Sequence, residues 1–195
     1  KCSLCGRCIA RCTNAHGNGI LGFENRGFRT VVGPASNRAF TDSPCLMCGQ
    51  CVNVCPTGAL MEKSEIAKVD EAMAAGKYVV VQTAPAVRAY LGEELGMKIV
   101  TEVTGKMVAA LRRLGFKKVF DTNYGADLTI MEEAHELLDR VSNGGVLPMI
   151  TSCSPGWVNY AEYYYGDILP HLSSCKSPHE MQGAITKHYY AERIG

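Results

Sequence analysis

Residues 2–12 read CSLCGRCIARC, and residues 45–56 read CLMCGQCVNVCP. Each stretch carries four cysteines at spacings x2, x2, x3: Cys2, Cys5, Cys8 and Cys12 in the first, Cys45, Cys48, Cys51 and Cys55 in the second, with Pro56 behind the latter. This is an internal repeat, and it decides the reading of the first third of the chain. In a C-x2-C-x2-C-x3-C-P run three thiolates grip one [4Fe-4S] cubane and the fourth reaches the neighbouring one. Two runs therefore imply two linked cubanes with ligands crossing between repeats. Cluster one takes Cys2, Cys5, Cys8 and Cys55; cluster two takes Cys45, Cys48, Cys51 and Cys12. Zinc and disulfides are the alternatives, but zinc sites usually pair two C-x2-C knuckles. Disulfide frameworks seldom repeat one spacing twice with a proline behind it. Two neighbouring cubanes are suited to passing single electrons.

Between the repeats, ILGFENRGFRTVVG (20–33) alternates apolar and polar residues around Asn25-Arg26-Gly27, which predicts a small hairpin lidding the metal sites. After residue 60 the composition turns to Val/Ala/Leu-rich segments punctuated by glycine, with only Cys153 and Cys175 left. The expected division is a domain at 1–65 and a second at 66–195. From Lys77 onward KYVVVQT and KKVFDT read as strands, and TGKMVAALRRLGF and DLTIMEEAHELLDRV as helices. GVLPMIT reads as a further strand, followed by a SCSPGW loop and the helix WVNYAEYYYGDIL, with Pro155 placed for a first helical turn. Alternating strands and helices predict a parallel α/β sheet with the loop at a strand's C-terminal end, where such folds place ligands.

The chain has 195 residues, 47% hydrophobic, enough to bury a core. Its 20 Lys+Arg against 19 Asp+Glu give no electrostatic reason to expect nucleic acid or an anionic membrane as partner. No apolar run approaches the roughly 20 residues of a spanning helix. The opening KCSLCGRC carries neither a signal peptide's apolar stretch nor an initiator Met, so the expectation is a soluble piece beginning mid-protein. Iron–sulfur clusters suit a reducing compartment, which points to the cytoplasm and leaves the periplasm open.

With CSLCGRC, LMCGQCVNVCPTGAL, APAVRAYLGEELGM, VTGKMVAALRRLGF, GADLTIMEE, TSCSPGW, LSSCKSP and KHYYAERIG in place, the whole chain resembles the [FeFe] (iron-only) hydrogenases. The resemblance implies an α+β ferredoxin-like 2[4Fe-4S] domain followed by an α/β parallel-sheet domain, the first part of a hydrogenase catalytic domain. It implies reversible oxidation of dihydrogen to protons and electrons, with ferredoxin or another redox protein as partner. The complete family cofactor is a [4Fe-4S] cluster bridged to a diiron unit with CO, cyanide and dithiolate ligands. The family's proton route falls on Cys153, Glu133, Ser173, Glu136 and Arg140. Glu133 and Glu136 stand at i, i+3 on one helix face, where they can be consecutive relay stops, and Arg140 can hold the outer carboxylate ionised. Ala84, Pro85 and Ala86 match the turn lining the diiron pocket, and Lys176 and Ser177 fall near it. Cys175 reads as a packed free thiol.

The chain departs from the family twice. Where the family has a second cysteine ligating the active-site cubane, Ser154 stands, a hard and weakly acidic donor in place of a soft thiolate. The family's remaining ligands fall beyond residue 195, so this chain alone is not expected to assemble the active site. A continuation of the polypeptide or a separate subunit is the expected complement. The competing readings are a non-catalytic relative serving as sensor, electron-wiring or iron–sulfur assembly protein, which Ser154 favours, and a plain two-cluster carrier with an α/β docking domain.

Overall fold

The computed structural model describes residues 1–194. They form two compact units, residues 1–64 with 154–169, and residues 65–153 with 170 onward. The expected division at 65/66 cuts the chain once; the compact units interleave, because Ser154–Leu169 groups with the first.

In the first unit, helix α1 (Arg7–Ala10) runs on as a π-helical turn, Arg11–Ala15. Strands β1 (Leu21–Glu24) and β2 (Val31–Pro34) pair antiparallel, Leu21 opposite Pro34 and Glu24 opposite Val31, as the hairpin pattern predicts. Helix α2 (Gln50–Asn53) follows. The sequence repeat is also a backbone repeat. Gly6 and Gly49, each just before a helix, take left-handed φ of 72° and 70°, and Leu4 and Met47 match at 54°. A left-handed Leu or Met costs roughly 1–2 kcal/mol, and the surrounding loop imposes it in both copies.

The second unit opens with α3 (Ile66–Ala74), β3 (Val80–Thr83), α4 (Pro85–Glu94), α5 (Thr104–Arg113), β4 (Lys118–Asp121) and α6 (Thr122–Asn143). Strands β3 and β4 pair in parallel, Val80 opposite Lys118 and Thr83 opposite Asp121. Helix α5 buries Met107 beside Val103. Asp121 caps α6 by accepting the Asn123 N–H at 3.0 Å, and Gly144 ends the helix in the left-handed conformation. After α7 (Pro155–Tyr164), which belongs to the first unit, come α8 (Pro178–Ile185) and α9 (Ala191–Ile194). Helix α8 starts with a capping box between Ser177 and Glu180. It crosses α6 so closely that a Cβ on Gly125 would stand 2.2 Å from the Pro178 carbonyl oxygen. The α6 residues on that stripe, Thr122, Gly125, Thr129, Glu133, Glu136 and Arg140, are buried or half-buried.

Three expectations are corrected. GVLPMIT is not a strand: among the described residues only Ile150 bridges Leu172, in parallel, and the parallel sheet has two strands. Pro148 has no N–H to give a ladder, and the Arg140 guanidinium takes the carbonyls of Val146, Pro170 and Leu172 at 3.2, 3.1 and 2.8 Å. Ala84-Pro85-Ala86 is not a free turn but the start of α4, with Ala84 as cap and Pro85 as first helical residue. The helix expected through residue 169 stops at Tyr164, and 3₁₀ turns carry Gly166–His171.

Candidate functional site

The first unit groups its eight N-terminal thiols four and four. One cavity of about 290 Å³ is lined by Cys12, Cys45, Cys48 and Cys51, with Leu21 and Leu46 as apolar wall. A second of about 60 Å³ is lined by Cys2, Cys5, Cys8 and Cys55, with Val32 beside them. Cys12 and Cys55 have thus exchanged repeats. The hairpin serves both cavities, through Leu21 and Val32, and the Phe23 ring stands 3.5 Å from where a side chain on Gly6 would begin.

Backbone amides point at the sulfurs: Leu4 N–H to Cys2 Sγ at 3.4 Å, Ile20 N–H to Cys12 Sγ at 3.4 Å and Ala59 N–H to Cys55 Sγ at 3.2 Å. The N–H groups of Leu60 and Thr57, with further help from Ala59, draw the Cys55 thiol down to about 7, and the Arg7 N–H lowers Cys5. Burial pushes the thiols of Cys8, Cys45 and Cys51 up. Among the described residues no three His, Cys, Asp or Glu side chains converge on the point a single ion would occupy. The donor chemistry, four soft thiols per cavity with N–H donors to sulfur, fits iron–sulfur clusters.

In the second unit α6 carries a carboxylate held from several sides. Glu136 accepts from Arg140 Nε at 3.1 Å and from Nη2, from Ser173 Oγ at 3.1 Å, and from the Ser174 N–H and hydroxyl, each at 3.1 Å to Oε2. Burial pushes the Glu136 carboxyl up, but the bonds from Arg140, Ser173 and Ser174 outweigh it and hold the group below the usual carboxylate range. Cys175 Sγ lies 3.6 Å from Glu136 Oε2. Burial raises that thiol, and the Glu136 and Glu133 charges raise it further against a hydrogen bond from Ser173. Of the expected proton route, Glu136, Ser173 and Arg140 are joined directly. Glu133 lies on the same stripe, half-buried. Cys153 is exposed, and among the described residues no hydrogen bond joins it to Glu133. The segment before Cys153 is tied in, since Ser152 Oγ donates to the Ser173 and Cys175 carbonyls at 2.9 and 3.2 Å.

Sequence reasoning missed Ser174 and the tie of Cys175 to Glu136, because neither stands in a spacing that signals its partner. Ser177 is buried and its hydroxyl is committed to Glu180 at 2.8 Å. Lys176 and Ala84–Ala86 are exposed. Ser154 precedes α7, is exposed, and its hydroxyl makes no capping bond. For a further cubane with a diiron unit this chain's donor set does not fit, because the ligand position offers a hydroxyl where a thiolate is needed.

The class defined so far is an iron–sulfur protein with two four-thiol cavities and a parallel α/β unit bearing a tethered carboxylate. Residues 1–59 match the 4Fe-4S dicluster domain, and residues 77–194 match the iron-only hydrogenase large subunit, C-terminal domain. The chain belongs to the iron-only hydrogenase family. It is 53% identical to the NADP-reducing hydrogenase subunit HndD of Solidesulfovibrio fructosivorans, over all of this chain and 34% of that one. It is 34% identical to Protein NAR1 of Arabidopsis thaliana, over 77% of this chain and 34% of that one. The solved apo [FeFe]-hydrogenase HydA1 from Chlamydomonas reinhardtii superposes with a TM-score of 0.61 at 46% identity, covering 65% of this chain and 34% of that one. The chain thus spans about a third of the length of these relatives. Among the described residues no helix is long and apolar enough to cross a membrane.

Proposed function

We propose that this chain is the electron-wiring domain and the first part of the catalytic domain of an [FeFe] hydrogenase, an enzyme that reversibly oxidises dihydrogen. The observation that carries this reading is the Glu136–Ser173–Arg140 network, because an electron carrier or an assembly scaffold needs no tethered carboxylate with hydroxyl donors on a helix face. Cys2, Cys5, Cys8 and Cys55 hold one [4Fe-4S] cluster, and Cys45, Cys48, Cys51 and Cys12 the other. The four-and-four grouping of the thiols supports that assignment. When bound, the two cubanes supply one-electron steps.

This chain's own residues handle protons. The exposed Cys153 thiol is the first group of the route, Glu133 and Glu136 are successive acceptors one helical turn apart, and the Ser173 hydroxyl donates to the second. Arg140 keeps Glu136 ionised at rest, so a proton arriving there is quickly passed on. The family resemblance assigns Ala84, Pro85, Ala86, Lys176 and Ser177 to the side that faces the cofactor, whose missing ligands would come from a continuation or a separate subunit. Ferredoxin or another redox protein exchanges the electrons.

Ser154 and the similarity to NAR1 and to factors named for cytosolic Fe-S cluster assembly favour a second reading, a non-catalytic relative. Infrared spectroscopy of the complete protein separates the two. Bands of iron-bound CO and cyanide, with hydrogen turnover that rises on Ser154→Cys and collapses on Cys153→Ala while the other clusters keep their spectra, are expected for the enzyme. No such bands, and iron for only two cubanes, would establish the second reading.

A further inference from the structure

The Glu136 carboxylate is over-subscribed. Its Oε1 accepts from Arg140 Nε at 3.1 Å and from Nη2, and its Oε2 accepts from the Ser173 hydroxyl, the Ser174 N–H and the Ser174 hydroxyl, each at 3.1 Å. The Cys175 thiol adds a further donor to Oε2, at 3.6 Å. A carboxylate offers about four lone-pair sites, and this one serves more donors than that. A proton can settle on Oε2 only if a donor withdraws.

The donors are unequal. Arg140 is held at its far side by the carbonyls of Val146, Pro170 and Leu172. The Ser174 N–H belongs to the backbone, and the Cys175 N–H donates to Ser173 Oγ at 3.1 Å, which turns the Ser173 hydroxyl proton onto Glu136. The thiol is the weakest donor in kind and the longest in distance, and turning its own side chain is enough to withdraw it. Burial and the charges of Glu136 and Glu133 keep it protonated, so it stays a donor. The charged groups acting on the pair are Arg140 and Glu133, both on α6. In the facing segment, His171 sets its ring Nδ1 2.8 Å from the Pro148 carbonyl, and the Lys176 charge falls on Glu180.

We propose that Cys175 is a positioning residue of the proton route, the donor that lets go of Glu136 Oε2 when that oxygen takes a proton. In the step, the Ser173 O–H bond breaks as an O–H bond forms on Glu136, and Ser173 Oγ takes the incoming proton on its remaining lone pair. Cys175 keeps its own proton and turns its S–H away. The inference rests on the reading of Glu136 as a stop on that route.

The test is infrared spectroscopy of the complete, iron-loaded protein in the S–H stretching window, with Cys175→Ala to assign the band. At neutral pH the Cys175 band is expected to be lowered by its bond to the carboxylate. Glu136→Gln leaves one acceptor oxygen for the same donors, so the band is expected to move up to that of a free thiol. On acidification of the unaltered protein, the same upward shift should accompany the appearance of the Glu136 carboxylic C=O band, with one midpoint; this arm stands even if Glu136→Gln fails to fold. Cys175→Ala is expected to raise the proton affinity of Glu136 by less than about threefold, and Ser174→Ala by about tenfold. An S–H band unmoved by protonation of Glu136, or a Cys175→Ala effect as large as that of Ser174→Ala, would overturn the proposal. Hydrogen turnover in Glu136→Gln separates the two claims. Full turnover with the expected bands overturns the proton-route reading, and collapsed turnover with an unmoved S–H band overturns the thiol's part alone.

Discussion

The first unit and the second reach order by opposite routes. In the first, two seven-residue loops adopt the same strained backbone, Leu4 matching Met47 and Gly6 matching Gly49, around thiols that need something to hold. Its buried apolar residues include Cys8, Leu21 and Ala161, and those of the second unit Val103 and Met107, so neither is held by a large apolar core. In the second, α6 is a long helix with one face seated on α8 and the other open: Tyr124, Ile130, Met131, Leu138 and Val141 recur at helical spacing and are each more than half exposed. The first unit is completed from inside, by a metal; the second is open to completion from outside, by apolar contact. Metal binding is folding free energy where no site exists in the unfolded chain, whereas an uncovered apolar stripe costs roughly 25 cal/mol per Å² left in water.

The largest effect expected from this contrast follows iron removal. Chelation under oxidising conditions should melt residues 1–64, raising amide exchange there by orders of magnitude, while β3, β4 and α6 keep their protection. Simultaneous loss in both units would break the comparison. Next is Gly125→Ala, which places a methyl against the Pro178 oxygen and should destabilise the second unit by about 3 kcal/mol, with its Tm lower by roughly 10 °C. The iron chromophore of the first unit should be unaffected.

Leu138→Lys sharpens the claim about the open face. In the 195-residue chain it should change stability by less than about 0.5 kcal/mol, since the position is 63% exposed. A large loss in a longer form of the protein would show that the stripe is covered there. The smallest effect concerns acid. Because the folded state depresses the Glu136 carboxyl, its contribution to stability is present above the ordinary value near 4.5 and is lost as pH falls through the lowered one. Glu136→Gln should flatten that part of the acid limb in a pH titration of unfolding. An unchanged limb would mean that Arg140, Ser173 and Ser174 do not hold the carboxylate in solution.

Much of this was legible in residue order. The hairpin around Asn25-Arg26-Gly27, the parallel partners KYVVVQT and KKVFDT, and the existence of the helices read at 104–116 and 127–141 follow from apolar periodicity, because each is specified by neighbours along the chain; the first ends at Arg113 and the second begins five residues earlier, at Thr122, where the Asp121 cap sets the start. GVLPMIT misled because its apolar run matches a buried strand, yet the carbonyls around it are spent on a side chain forty or fewer positions away, Arg140, whose reach periodicity does not encode. Ala84–Ala86 misled in the other direction, since a proline after a strand opens a helix as readily as a turn.

The sequence by itself determined the eight spaced thiols with their crossing between repeats, the hairpin and the two parallel strands, and the stripe that places Glu133, Glu136 and Arg140 on one side of α6. Those features depend on distances of a few residues, over which backbone geometry is nearly invariant. Only the tertiary structure decided that Glu136 is gripped by Ser173 and Ser174 from 37 or more positions away, and that the segment after Cys153 joins the first unit rather than the second. Those outcomes rest on long-range closure, in which packing and hydrogen-bond satisfaction choose among partners that the local sequence leaves equally available.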